Sequence, residues 1–188
     1  MNVMTLNQWS ILLYVTLSLV TSCKKTPDQE NKSHSENTKE IHQGDLNQTS
    51  ITSPVVFAKE MTTQLYIHYL EVKKHLVNSD TKKVKTAAKK MEKFLSMHNY
   101  SKSFEATANL IALTRDLQKQ RDFFKTLTEE AETVFKSATI VSGEIYTQYC
   151  PMAFEGKGGY WLSDSKEIRN PYYGSKMLKC GTVKEITK

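Results

Sequence analysis

Between Ala58 and Ala138, apolar residues recur every three or four positions, and the recurrence stops before Gly143. An extended chain would scatter such a set over both faces, whereas an α-helix gathers it on one. The first stripe is Ala58, Met61, Leu65, Tyr69, Val72 and Leu76. Ser53-Pro54 is suited to open that helix, because Ser accepts from a free N–H and Pro at the first position has none to lose. The stripe ends near Asn78-Ser79-Asp80. Asp80 suits the cap of a second helix in which Val84, Ala87, Ala88, Met91, Phe94 and Leu95 align, with the next break at "SMHNYSKS". A third helix is expected from about Ser103 through Ala108, Ile111 and Leu113. A fourth begins near Asp116 and carries Leu117, Phe124, Leu127, Ala131, Val134, Phe135 and Ala138. No Gly or Pro separates the last two. Short connections between four amphipathic helices predict an antiparallel bundle, so the expected fold is all-α, followed by a small irregular C-terminal segment with short strands. At 188 residues without an internal repeat, one folded domain over residues 54–188 is the default.

His68 and His75 lie seven apart, hence on nearly the same side of the first helix, beside its apolar stripe. They are auxiliary metal-ligand candidates; the alternative is a pair of boundary histidines whose polar edges reach water. The chain has no G-x-S-x-G, H-E-x-x-H or phosphate loop, and no cysteine with a local base. A non-enzymatic role is expected.

The N-terminus constrains location. The apolar run from Ile11 to Val20 is too short to span a bilayer and sits where the central region of a secretory signal lies, so residues 1–22 are expected to be removed on export. "LVTSC" resembles the lipobox of bacterial lipoproteins, which implies lipidation of Cys23 and a membrane anchor in the cell envelope, on the periplasmic or outer-membrane side. No Lys or Arg precedes the run, a departure from that pattern, and a plain cleaved signal or a short membrane-embedded N-terminus is the alternative. From Lys24 to Ser53 only Ile41, Leu46 and Ile51 are sizeable apolar side chains, too few to offset the entropy of ordering. Residues 23–53 are therefore expected to form a lipidated, flexible tether with a reach of about 30 Å. The net charge of +6 is spread along the chain, and "KKVKTAAKK" has the spacing of a solvated helix face without interleaved aromatics. Nucleic acid is not an expected partner.

Beyond Gly143 the helical period is lost. "EIYTQYC" has strand composition, and in an extended "CPM" the side chains of Cys150 and Met152 would share one face. In "NPYYGSKMLKCG", Asn170 is able to cap, Pro171 to open and Gly181 to close a short helix, which would set Met177 and Cys180 at i and i+3. Two thiolates and two thioethers form a soft donor set suited to Cu(I) or Ag(I), whereas structural zinc favours four Cys or His. If Cys23 is lipidated, the remaining two cysteines sit in an oxidising compartment, where a pair ordinarily forms a disulfide. Closing that loop would add about 3–4 kcal/mol in the chain-entropy account. Spacing alone leaves both readings open.

The stretch "YTQYCPMAFEGKGGYWLSDSKEIRNPYYGSKMLKCGTV", and more weakly "KQRDFFKTL", resembles an uncharacterised bacterial domain family common in Bacteroidetes-type organisms. Its members are small exported proteins and C-terminal extensions of periplasmic adaptor subunits of heavy-metal efflux pumps. The resemblance covers roughly residues 57–186. It implies a helical domain ending in a Cys/Met motif (143–186) associated with copper or silver handling. Carried onto this chain, the ligands would be Cys150, Met152, Met177 and Cys180, with Trp161 against the ion by analogy with periplasmic copper chaperones. The chain lacks an adaptor's barrel and hairpin domains, so an efflux adaptor is implied as a partner and pump assembly is not its own task. The combined expectation is an exported lipoprotein that buffers Cu(I) or Ag(I) or delivers it to efflux; the alternative is a disulfide-stapled envelope interaction module without metal.

Overall fold

The structure, a computed structural model, describes residues 44–52 and 54–188. The expected signal (1–22), Cys23, the tether as far as residue 43, and Ser53 lie outside the described residues. Four helices make up about half of what is described: α1 (Glu60–Val77), α2 (Thr81–Met97), α3 (Lys102–Leu113) and α4 (Leu117–Lys136). Each helix packs on its sequence neighbour, and α4 returns to α1. Connections of three or four residues force successive helices to double back on one another.

Side-chain caps fix three of the four starts. Asp80 accepts from the Lys83 N–H at 3.0 Å, Ser101 from Phe104 at 3.2 Å, and Asp116 from Gln118 and Lys119 at 2.8 and 3.1 Å. The Asp116 cap, following an extended Thr114, supplies the α3–α4 break without Gly or Pro. The start of α1 differs from expectation. It begins at Glu60 after Lys59, which makes no side-chain cap, because Val56–Phe57 is already committed as strand β1. That strand pairs antiparallel with β2 (Ile140–Ser142). Ala58 and Met61 are consequently exposed, and Phe57 enters the core in their place, between Tyr66 and Phe135. Leu113 is likewise exposed, and Phe104 fills the inner face of α3 instead.

The fold is not purely all-α. β3 (Ile145–Cys150), β4 (Gly159–Ser163) and β5 (Thr182–Thr187) form an antiparallel sheet in the order β4-β3-β5. The expected short strands are thus one continuous cap, because β5, whose Lys184 and Glu185 give no apolar alternation to read, supplies the second partner of β3. β4 packs on α4. At the centre, the Tyr69 hydroxyl on α1 accepts from the β4 Leu162 N–H at 3.0 Å and is bonded to Thr128 of α4 at 2.9 Å.

Residues 45–50, expected to belong to the free tether, are bound to the folded part. Asn78 donates to Asp45 at 2.8 Å and accepts from the Leu46 N–H at 2.9 Å. Arg169 donates to the Gln48 carbonyl at 2.7 Å, and Ser50 gives its N–H and hydroxyl to Glu167. A polar strand of chain with little apolar surface is ordered here by hydrogen bonds to side chains that the fold has already fixed. Among the described residues no helix is long and apolar enough to cross a membrane.

Lys73 of α1 is 2% exposed and donates to Ser163 Oγ at 3.2 Å. Burial pulls its pKa down to about 8, partly countered by Asp164. Because the folded value lies below the unfolded 10.5, the folded state holds fewer protons between pH 8 and 10.5, and stability should rise across that window. Lys73→Met is expected to stabilise the protein at pH 7 by roughly 2–3 kcal/mol and to lose most of this advantage at pH 10.5. Urea unfolding of both proteins at the two pH values measures it; an equal gap at both would show that the buried ammonium is not its origin.

Candidate functional site

Cys150 ends β3, opposite Gly159 of β4, with its side chain fully buried. The chain does not stay extended beyond it. Pro151 has no N–H to continue the ladder, and residues 151–157 turn back, with the Gly158 N–H donating to the Ala153 carbonyl at 2.8 Å. Phe154 and Glu155 both take left-handed backbone conformations in this turn. Met152 is therefore 54% exposed while Cys150 is buried, and the expected shared face of the "CPM" residues does not form.

The second segment is built around Asn170. Its side-chain carbonyl accepts from the Tyr172 and Tyr173 N–H groups at 2.8 and 3.2 Å, the capping role read from "NPYYG". After Tyr173 the chain forms a single 3₁₀ turn, Gly174–Met177, in place of a short α-helix. The Cys180 N–H donates to the Met177 carbonyl at 3.0 Å, which closes a further turn between these two residues. Asn170 Nδ2 also donates to the Cys180 carbonyl at 2.8 Å.

These two segments meet. Cys150 Sγ and Cys180 Sγ lie 2.9 Å apart, although 30 residues separate them in sequence. The Tyr173 hydroxyl donates to the Met152 carbonyl at 2.6 Å, tying the two loops together. Contact with the Cys150 thiol pushes the Cys180 thiol above its ordinary range, while the Met152 backbone N–H, directed at its sulfur, pulls the other way. Cys180 is thus held as a thiol near pH 7. Oxidation or metal binding must displace that proton.

The separation has a chemical meaning. A disulfide needs about 2.05 Å. Two thiolates each about 2.3 Å from one tetrahedral ion sit about 3.8 Å apart. At 2.9 Å the sulfurs are in direct contact, and either arrangement requires them to move. Among the described residues no three His, Cys, Asp or Glu side chains are placed to share an ion. A metal here would rest on two thiolates and the methionine thioethers, a donor set that suits Cu(I) or Ag(I) and does not suit zinc.

The remaining candidates fall elsewhere. Trp161 is fully buried, edge-on to Tyr172 at 5.9 Å, and its ring lies directly under Gly181, beside Cys180. His68 and His75 share a groove of about 280 Å³ between α1 and α2. There His68 lies tilted against Phe94 at 5.0 Å and His75 pairs with Glu71 at 3.5 Å, so the structure does not join them to the sulfur pair. Burial lowers the pKa of both imidazoles. Lys73 and Ser163 have the atoms of a Ser–Lys dyad, yet both are buried beneath the sheet. Sequence reading misses the anchoring roles of Asn170 Nδ2 and Tyr173. The dense "NPYYG" is the available signal, but their partners are backbone carbonyls that only the fold brings near.

A four-helix bundle carrying a small sheet with a paired thiol at its edge defines the class of protein. Residues 65–143 match a family model described as Protein of unknown function (DUF3347), so the helical part is similar to an uncharacterised domain family. The match takes in most of the bundle and ends at Gly143, before the sulfur-bearing cap. No curated protein matches the chain, and no solved structure does.

Gly181 sets the approach of Cys180. Its φ is +149°, and a Cβ there would lie 2.8 Å from the Trp161 ring and 3.0 Å from the Tyr149 carbonyl. Gly181→Ala is expected to cost about 2–3 kcal/mol and to slow the joining of Cys150 to Cys180 under mild oxidant. Urea unfolding and timed thiol titration check both effects; wild-type stability would show that the backbone there adapts without strain.

Proposed function

We propose that this chain is a non-enzymatic, exported lipoprotein that takes one Cu(I) or Ag(I) ion on Cys150 and Cys180 and buffers it or hands it to an efflux system. The observation that carries this reading is the contact of the Cys150 and Cys180 sulfurs, with the backbone of Met177 bonded to that of Cys180. Cys150 lies 2.9 Å from Cys180, sulfur to sulfur, and the Met177 carbonyl accepts the Cys180 N–H at 3.0 Å. The exposed Met152 thioether would give an incoming ion a first soft ligand, and stepwise exchange would then pass it to the thiolates. In this reading Cys23 anchors the chain to the envelope membrane, and the partner is the periplasmic adaptor subunit of a heavy-metal pump. The resemblance to a Bacteroidetes-type family with such members supports the partner, and the apolar run before Cys23 supports the anchor.

The second reading is a disulfide-stapled interaction module without metal. The same 2.9 Å favours it, since the pair need only lose two protons and two electrons to an oxidant to close the S–S bond.

The test uses the chain carrying Cys23→Ser, reduced, with Cu(I) supplied from a competing chelator. One ion per chain is expected, with affinity falling by more than about 100-fold in Cys150→Ser and in Cys180→Ser and by less in Met152→Leu. Unchanged binding in both cysteine variants would sink the metal reading. Thiol counting on protein taken from its own compartment separates the second reading: two free thiols at these positions favour the ligand pair, none favours the staple.

A further inference from the structure

α2 carries six lysines and a single acid, Glu92. On its α3 side they border a groove of about 460 Å³ lined by Lys85, Lys89, Lys90 and Lys93, with Ala112 and Leu113 among its apolar floor residues. No carboxylate lines it. Glu92 pairs with Lys89 at 2.8 Å, and among the described residues no carboxylate pairs with Lys90 or Lys93. Beside the lysines, Leu113 is 67% exposed, and Leu110, three residues earlier on α3, is also exposed. Lys85 reaches across to the Leu113 carbonyl at 3.4 Å, which places cationic heads and bare leucine side by side.

The inner face of α2 is satisfied by Val84, Ala88, Met91 and Leu95, so core packing does not account for the two exposed leucines. A solvated lysine face needs no apolar floor, and a free phosphate would make no use of Leu113. A ligand matching both halves is an amphiphile with an anionic head. We infer that the α2–α3 groove is a docking surface for anionic phospholipid, with the lysines on the head-group phosphates and Leu110 and Leu113 at the acyl boundary. This site is separate from the sulfur pair and does not depend on a metal being bound there.

The test is co-sedimentation of the full unlipidated chain with vesicles of about 30% phosphatidylglycerol in phosphatidylcholine, against vesicles of phosphatidylcholine alone. The apolar run near the N-terminus contributes to both vesicle types, so the readout is the ratio of the two affinities. Replacing Lys85, Lys90 and Lys93 by Gln should reduce that ratio on the order of 100-fold, and Leu113→Asp about 10-fold. A control replaces the exposed Lys166, Lys176 and Lys179 by Gln, an equal loss of charge elsewhere, and should change the ratio far less. Helical circular dichroism and Cu(I) uptake should be unaltered in the groove variants, which separates failure here from failure at the sulfur site. Equal losses in the two lysine triples, or a wild-type ratio near one, would overturn the inference, the latter leaving the groove to an acidic protein segment.

Discussion

The arrangement depends on one buried phenol. Tyr69 is placed on the inner face of α1 by the three-and-four spacing of its helix, and its hydroxyl is bonded both to Thr128 of α4 and to the backbone of β4 at Leu162. β4 is an edge strand, and an unpaired edge N–H buried against helices would cost on the order of 1–3 kcal/mol. Tyr69 removes that cost and fixes the height at which the sheet meets the bundle. Burial raises the phenol well above its ordinary pKa, by more than these bonds pull it back, so it remains a neutral donor and acceptor. The register along β3 is then set: Leu162 lies opposite Thr147, and three pairs further along Gly159 lies opposite Cys150.

A second set of polar contacts closes the other end of the cap. Arg121 of α4 donates to the Pro171 carbonyl at 2.9 Å and to Ser79 at 3.0 Å, joining α4, the α1–α2 turn and the "NPYYG" loop. Asn170 then sets both the entry to the 3₁₀ turn and the carbonyl of Cys180. Cys180 therefore reaches Cys150 through a chain of fixed hydrogen bonds, and the sulfur contact is a product of the fold more than its cause.

The bundle is legible in the sequence because its signals are local. Asp80 and Asp116 cap where expected, and the stripes through Leu65, Val84 and Phe124 are the buried ones. The first turn of α1 is misplaced by sequence because Pro54 reads as a helix start only until its neighbours pair with residues 140–142, a partner more than 80 positions away. At the candidate site, sequence brings the right residues to attention but not their geometry. "CPM" reads as extended, yet the Pro that stiffens it also ends the strand, and Met152 swings outward. The pairing of Cys150 with Cys180 rests on β-register and on the side chains of Asn170 and Tyr173, whose backbone partners are brought near only by the fold.

The boundary at Gly143 separates two kinds of constraint. Its φ of +83° and the close approach of Val55, where a Cβ would lie 2.8 Å from the backbone, allow only glycine between the β1–β2 pair and the cap. The family match ends there, after the part whose residues are set by helix packing. Beyond it the chain is held by Tyr69, Lys73 and Arg121, which grip β4 and the 171 loop, and by Lys136 of α4, which reaches Glu185 of β5 at 3.0 Å. Cys180 lies between the 3₁₀ turn and β5, on the outer edge of the sheet. Cys180 packs partly against the core and both its N–H and its carbonyl are bonded, so any shift of its sulfur toward bond or ion falls to the side chain. Whatever the two sulfurs bind, the backbone on either side is already set, by the β3 register at Cys150 and by the Asn170 side chain at Cys180.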